Sequence, residues 1–313
     1  MRYIISLLLA STAPLCATPL WADAPRVVTD IIPVHSLVAQ VMGDLGSPVL
    51  LLDTGASPHD FQLRPSQAAN LAEAQLLVWI GPDLTPWLDR AVTSLAPDAA
   101  RLTLLADPQT RTRPFAETED AHADDAHDDH EDPSHDDHAH TGTDPHAWLD
   151  PGNATRWLGL IAAELSTLDP ANAPTYAANA ATAATSITAL DQSLSAQLAP
   201  IKDRPFVVYH DAYGYFTAHY GLTLAGTVAT GDATSPGAAR LDALQDRLGT
   251  DTPLCLFPEV QHDPALVTQL AEGTRTRLGG PLDPEGSTAP AGPLGYEATL
   301  RGLADTLTAC LLP

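Results

Sequence analysis

One stretch divides this 313-residue chain before any secondary structure is read. Residues 121–146, AHADDAHDDHEDPSHDDHAHTGTDPH, carry His122, His127, His130, His135, His138, His140 and His146 among Asp and Glu, with no Lys or Arg. The run has almost no apolar side chains to offset the entropy of ordering it, so it stands outside any core. Imidazole and carboxylate are also the side chains that hold divalent metals of the zinc type. A charge run is usually a solvated linker. Solvation alone would be served equally well by Glu, Ser and Lys, so the histidines point to metal contact. The expectation is a mobile loop that collects metal through His122, His127, His130, His135, His138 and His140 and ends, at His146, on a fixed site.

The formal net charge is −24, and eleven of the acids fall between Glu117 and Asp137. That excess argues against nucleic acid or an anionic membrane as partner and is compatible with attracting cations. The length suits two domains, each with its own core. Met1-Arg2, the apolar run 4–10 (IISLLLA) and the small-residue ending at Trp21-Ala22 read as an export signal cleaved after Ala22. The apolar run is too short to span a bilayer. Cys16 lacks the small neighbour that a lipidation site needs, so an anchor is disfavoured. Cleavage leaves Cys255 and Cys310, an even pair in an oxidising compartment, and a disulfide tying the last helix to a strand is expected.

Along the chain, short apolar runs alternate with helical patterns. Strands are expected at 27–32, 49–52, 76–80 and 101–105, with helices at 34–42, 65–74 and 84–95 between them. After the acidic run come a helix at 153–168 and a long Ala-rich helix at 171–198. Then strands at 206–209, 222–228, 254–257 and 277–282 alternate with helices at 213–219, 236–248, 264–272 and 294–311. Such alternation predicts an α/β fold of two (β/α) lobes with parallel sheets, joined by a long rigid helix, with a site in the cleft. The boundaries expected are a signal peptide at 1–22, a first lobe at 23–168 with the His/Asp-rich loop at 116–145, a linking helix at 169–200, and a second lobe at 201–313. No internal repeat of convincing fixed period is visible.

His59, His146 and His210 share one placement, in a loop at or near the start of a helix. Ligands of open α/β folds bind beyond the carboxyl ends of strands, and in two-lobed proteins between the lobes. A cleft would therefore bring these three onto one ion, with a carboxylate or water as the fourth ligand of a zinc shell. Asp283, at the end of a second-lobe strand, is the candidate for that place. Any one of these histidines alone would more often be structural. Asp60 and Asp211 follow ligand histidines and are candidates to orient a ring, although helix capping explains each equally well. His35 reads as a packed residue, His219 and His262 as surface or helix residues, and Glu259 as a cleft-lining residue rather than a ligand.

The segments GASPHDFQLRPSQ, LLVWIGPDL, DPHAWLDP, VVYHDAYGYF and GGPLDPEG stand in this order, and with the acidic His-rich insertion they resemble the zinc-specific substrate-binding proteins of bacterial ABC importers (ZnuA-type). The resemblance covers essentially the whole mature chain. It implies two lobes on a long helix with zinc in the cleft, held by His59, His146 and His210, and Asp283 at a ligand position that not every member uses. Some members place Glu just before the first ligand. This chain has Pro58 there, which favours Asp283 or water. Manganese-selective relatives tend to carry Glu where His210 stands, and imidazole suits zinc better. The Cys255–Cys310 pairing also looks like one known in the family. The implied partners are the zinc ion, an inner-membrane ABC permease and a periplasmic zinc chaperone, for a monomer in the periplasm that is not an enzyme. The competing classes are a secreted zinc hydrolase, although HExxH is absent, a periplasmic zinc buffer acting through the loop alone, and a manganese-binding relative.

Overall fold

The computed structural model describes residues 24–115, 142–229, 236–249 and 254–312. The expected signal peptide and the six loop histidines from His122 to His140 lie outside the described residues. The first lobe contains β1 (Val27–Thr29), α1 (Ile32–Met42), β2 (Val49–Leu50), α2 (Pro65–Ala72), β3 (Leu76–Trp79), α3 (Pro86–Leu95) and β4 (Ala100–Thr103). Next come α4 (Pro151–Leu168) and the long α5 (Ala173–Leu198). The second lobe contains β5 (Phe206–Val208), α6 (Gly214–Tyr220), β6 (Leu224–Thr227), α7 (Ala238–Leu248), β7 (Cys255–Leu256), α8 (Ala265–Ala271), β8 (Arg277–Leu278) and α9 (Gly295–Leu311).

Both sheets are parallel, with strand orders β2-β1-β3-β4 and β6-β5-β7-β8. The two orders are the same pattern, so the lobes repeat one topology that no sequence period reveals. In each sheet the central strands are buried along their length, and the edge strands β2, β4, β6 and β8 are partly or wholly exposed. Central strands of parallel sheets are covered on both faces and therefore read as continuous apolar runs, as LLVW and FVV do.

Alternation along those strands sorts the side chains into three cores. Val27, Leu76, Val78, Phe206, Val208 and Cys255 face one cluster that runs through both lobes and the long helices. Val28, Leu77 and Trp79 face an outer cluster with Leu88 and Val92 of α3, while Val207 and Leu256 face a third with Val267 and Leu270 of α8. The expectation of one core per lobe is thus only half of the arrangement. The centre is shared, because α1, α4, α5 and α9 pack against one another between the sheets. Helix α5 runs about 39 Å at 1.5 Å per residue. Its buried stripe of Tyr176, Ala180, Ala183, Ile187, Leu190, Leu194 and Leu198 recurs every three or four residues. No helix among the described residues is long and apolar enough to cross a membrane.

Two cross-links tie distant parts together. Cys255 of β7 is bonded to Cys310 in the last turn of α9, 55 positions away. His219 of α6 bridges the second lobe to both long helices, with Nε2 2.8 Å from Asp191 Oδ1 of α5 and Nδ1 3.3 Å from Asp150 Oδ1 at the N-cap of α4. The Asp150 hydrogen bond raises the His219 pKa; burial opposes the rise and Asp191 adds to it.

A raised histidine pKa contributes stability that is present below the unfolded value and is lost as pH rises through the folded one. The melting-temperature difference between wild type and His219→Asn is therefore expected to be larger at pH 6 than at pH 9, and an equal difference at both would remove the charged bridge. Opening the disulfide by Cys255→Ala with Cys310→Ala should lower the urea unfolding free energy by about 2–4 kcal/mol. Addition of a reductant to the wild type should reproduce that loss.

Candidate metal centre

The ends of the two sheets converge on one polar cluster. His59 lies beyond β2 in a loop fixed by its neighbours. Trp87 Nε1 donates to the Pro58 carbonyl at 2.7 Å, and Phe61 packs on the Trp87 ring at 5.4 Å. His146 starts the short 3₁₀ turn Ala147–Leu149 ahead of α4. Helix α4 begins at Pro151 with the Asp150 carboxylate accepting the Gly152 N–H at 2.7 Å, a normal N-terminal cap. His210 directly follows β5 by two residues.

Ligand atoms from His59, His146, His210 and Glu285 lie within 4.8 Å of one another. The imidazole centroids are 5.7 Å apart for His59 and His146, 5.4 Å for His146 and His210, and 6.4 Å for His59 and His210. Atoms at zinc–nitrogen distance around a tetrahedral ion stand about 3.3 Å apart, so small side-chain adjustments close this set on one ion. His146, His210 and Glu285 are each 2% exposed, and His59 is half-buried. Two of the four groups come from the first lobe and two from the second.

The ring orientations follow from two carboxylates. Asp144 Oδ1 accepts from His146 Nδ1 at 2.8 Å and from the His146 backbone N–H at 3.0 Å. Glu259 Oε2 accepts from His210 Nδ1 at 2.5 Å, while its Oε1 takes the Tyr213 hydroxyl at 2.8 Å. An ionised carboxylate only accepts, so each Nδ1 carries the proton and each Nε2 presents its lone pair to the cleft. The His146 Nε2 atom is buried and makes no hydrogen bond. Both carboxylates are themselves inaccessible, Asp144 at 1% and Glu259 at 2%.

The structure sorts the sequence candidates. His59, His146 and His210 are brought together. Asp283 is not in the cluster: its carboxylate accepts from Ser287 and Thr288 of its own loop and from Gln261. The carboxylate that reaches the cleft is Glu285, two residues on in the same GGPLDPEG motif. Asp144 and Glu259 are the carboxylates on the Nδ1 atoms of His146 and His210; the sequence suggested Asp60 and Asp211 for such a role. Position was the available signal, since Asp144 lies two residues before His146 and Glu259 lies three residues beyond β7. His262 stacks on Tyr209 at 4.0 Å, beside Glu259. His35 is buried and near Thr29, as a packed residue would be, and burial lowers its pKa.

Comparison with known proteins places the chain in a family. The family described as zinc-uptake complex component A periplasmic (ZnuA) matches residues 27–310. The "High-affinity zinc uptake system protein ZnuA" of Paracoccus denitrificans (strain Pd 1222) is 52% identical, covering 98% of each chain. The protein of that name from Brucella abortus (strain 2308) is 37% identical, covering 99% of each. Among solved structures, "Crystal structure of ZnuA" superposes with a TM-score of 0.72 at 24% identity, covering 92% of this chain and 99% of the other, which supports the two-lobed fold. On the match along nearly its whole length, this chain belongs to the ZnuA family of zinc-uptake components.

Proposed function

We propose that this chain captures Zn²⁺ in the periplasm and delivers it to an inner-membrane ABC permease, acting as a binding protein and not as an enzyme. The observation that carries the reading is the convergence of three imidazoles from distant parts of the chain on one buried point. Nitrogen-rich sites of this kind suit zinc better than the harder manganese, which prefers oxygen. The lobes are residues 23–168 and 201–313, with 169–200 as the linking helix, and His59, His146 and His210 are the zinc ligands. The mature protein starts after Ala22 and works as a monomer.

The described residues on either side of the acidic His-rich stretch meet each other. Pro114 pairs with Thr143 in an antiparallel bridge, and Thr143 stands three residues before His146. Weak capture by His122, His127, His130, His135, His138 and His140 on the same chain makes transfer an intramolecular step at high effective concentration. A periplasmic zinc chaperone is a further partner of this reading.

Chelator-competition titration with zinc tests the assignment. Alanine at His59, His146 or His210 should each weaken the tight site by at least about 100-fold. Retention of tight binding by all three variants would leave a buffer acting through the loop, and turnover of esters or peptides by the zinc-loaded wild type would favour a hydrolase. Glu259→Gln keeps the shape of the side chain but removes the charge that holds the His210 proton. A loss of about 10- to 100-fold in zinc affinity is expected from it, with the far-ultraviolet circular dichroism unchanged.

A further inference from the structure

Three histidines leave one position on a tetrahedral ion, and what fills it follows from the loop after β8. Resting on the zinc reading above, we infer that Glu285 is the fourth ligand, and that Asp283 is a positioning residue that builds the loop presenting it.

Asp283 is already engaged. Its Oδ1 accepts from the Ser287 N–H at 2.8 Å, the Ser287 hydroxyl at 3.0 Å and Gln261 Nε2 at 3.1 Å; its Oδ2 accepts from the Thr288 N–H at 2.7 Å and hydroxyl at 2.6 Å. A carboxylate has about four lone-pair sites. Five donors saturate it, and turning it toward the cleft would break every one of these bonds.

The same loop aims Glu285. On one side of it, the Pro284 carbonyl takes the Trp148 indole N–H at 2.8 Å, and Trp148 stands two residues after His146. On the other side, Gly286 adopts φ 64°, and a Cβ there would run into the Thr299 hydroxyl, so the turn needs glycine. Beyond it, the Ser287 carbonyl accepts the Gly55 N–H at 3.2 Å, four residues before His59. The loop is thus bonded to both first-lobe segments that carry ligands. With both neighbours fixed, the Glu285 side chain points into the cleft, with Oε1 3.8 Å from His210 Nε2.

Charge favours the same assignment. A dication among neutral imidazoles keeps its full charge in a buried place, and one carboxylate halves it. The extra methylene of Glu matters as well. Aspartate at this position would fall short by about one C–C bond, ~1.5 Å.

The test uses the full mature chain with zinc alone, reading affinity by chelator competition and apo-protein stability by thermal melting. Glu285→Ala should weaken zinc by at least about 100-fold and Glu285→Asp by less. Asp283→Asn should lower the apo melting temperature because the loop loses its organiser, and should weaken zinc through Glu285. If Glu285→Ala binds like wild type while His59→Ala does not, the fourth-ligand inference fails and the zinc reading stands. If Asp283→Asn weakens zinc with apo melting unchanged, the ligand role returns to Asp283. If the wild type itself binds no zinc tightly, both readings fall.

Discussion

Residues 144–150 form a short turn, and the second lobe grips it from several directions. Tyr215 of α6 donates to the Asp144 carbonyl, and its hydroxyl also accepts the Arg113 N–H. Trp148 reaches the Pro284 carbonyl, while Tyr296 of α9 donates to the Trp148 carbonyl at 2.9 Å. His219 meets Asp150 at the far end. Because His146 sits inside this turn, the bonds that dock the lobes also set where one imidazole stands. Trp148, Tyr215 and Tyr296 are all buried. Partners buried in this way cannot be lost without leaving polar groups unsatisfied, which makes the docking specific.

Around that turn, the cluster has a layered logic. Nε2 atoms face inward, Nδ1 protons face carboxylates, and those carboxylates are held in turn by a backbone N–H or a tyrosine hydroxyl. Each shell removes a rotational freedom from the one inside it, so an arriving ion meets groups already aimed. The shared central core does the equivalent for the backbone. It packs α1, α4, α5 and α9 between the sheets and limits how far the strand ends can drift apart.

Much of this was readable from residue patterns. LLVW, FVV and the three-or-four spacing along α5 each report local burial, which periodicity encodes directly. Element ends were less legible: residues 277–282 read as one strand, yet only Arg277–Leu278 pair as β8, and the chain then turns into the loop that presents Glu285. Asp283 and Glu285 are carboxylates two residues apart in one motif, and nothing local says which faces the cleft. His219 looked like an ordinary helix residue because Asp150 and Asp191, its two partners, lie 69 and 28 positions away in the chain.

Composition and pattern by themselves determined the alternation of strands and helices, the long central helix and the cysteine pair, since each depends on side-chain chemistry or on contacts close in sequence. Tertiary structure alone decided that the lobes share one core, that Asp144 and Glu259 orient the rings, and that Asp283 is spent on its own loop while Glu285 enters the cleft. Those outcomes depend on hydrogen bonds between segments brought together only by folding, and a carboxylate spent on its own loop looks like any other in the sequence until its donors are in place.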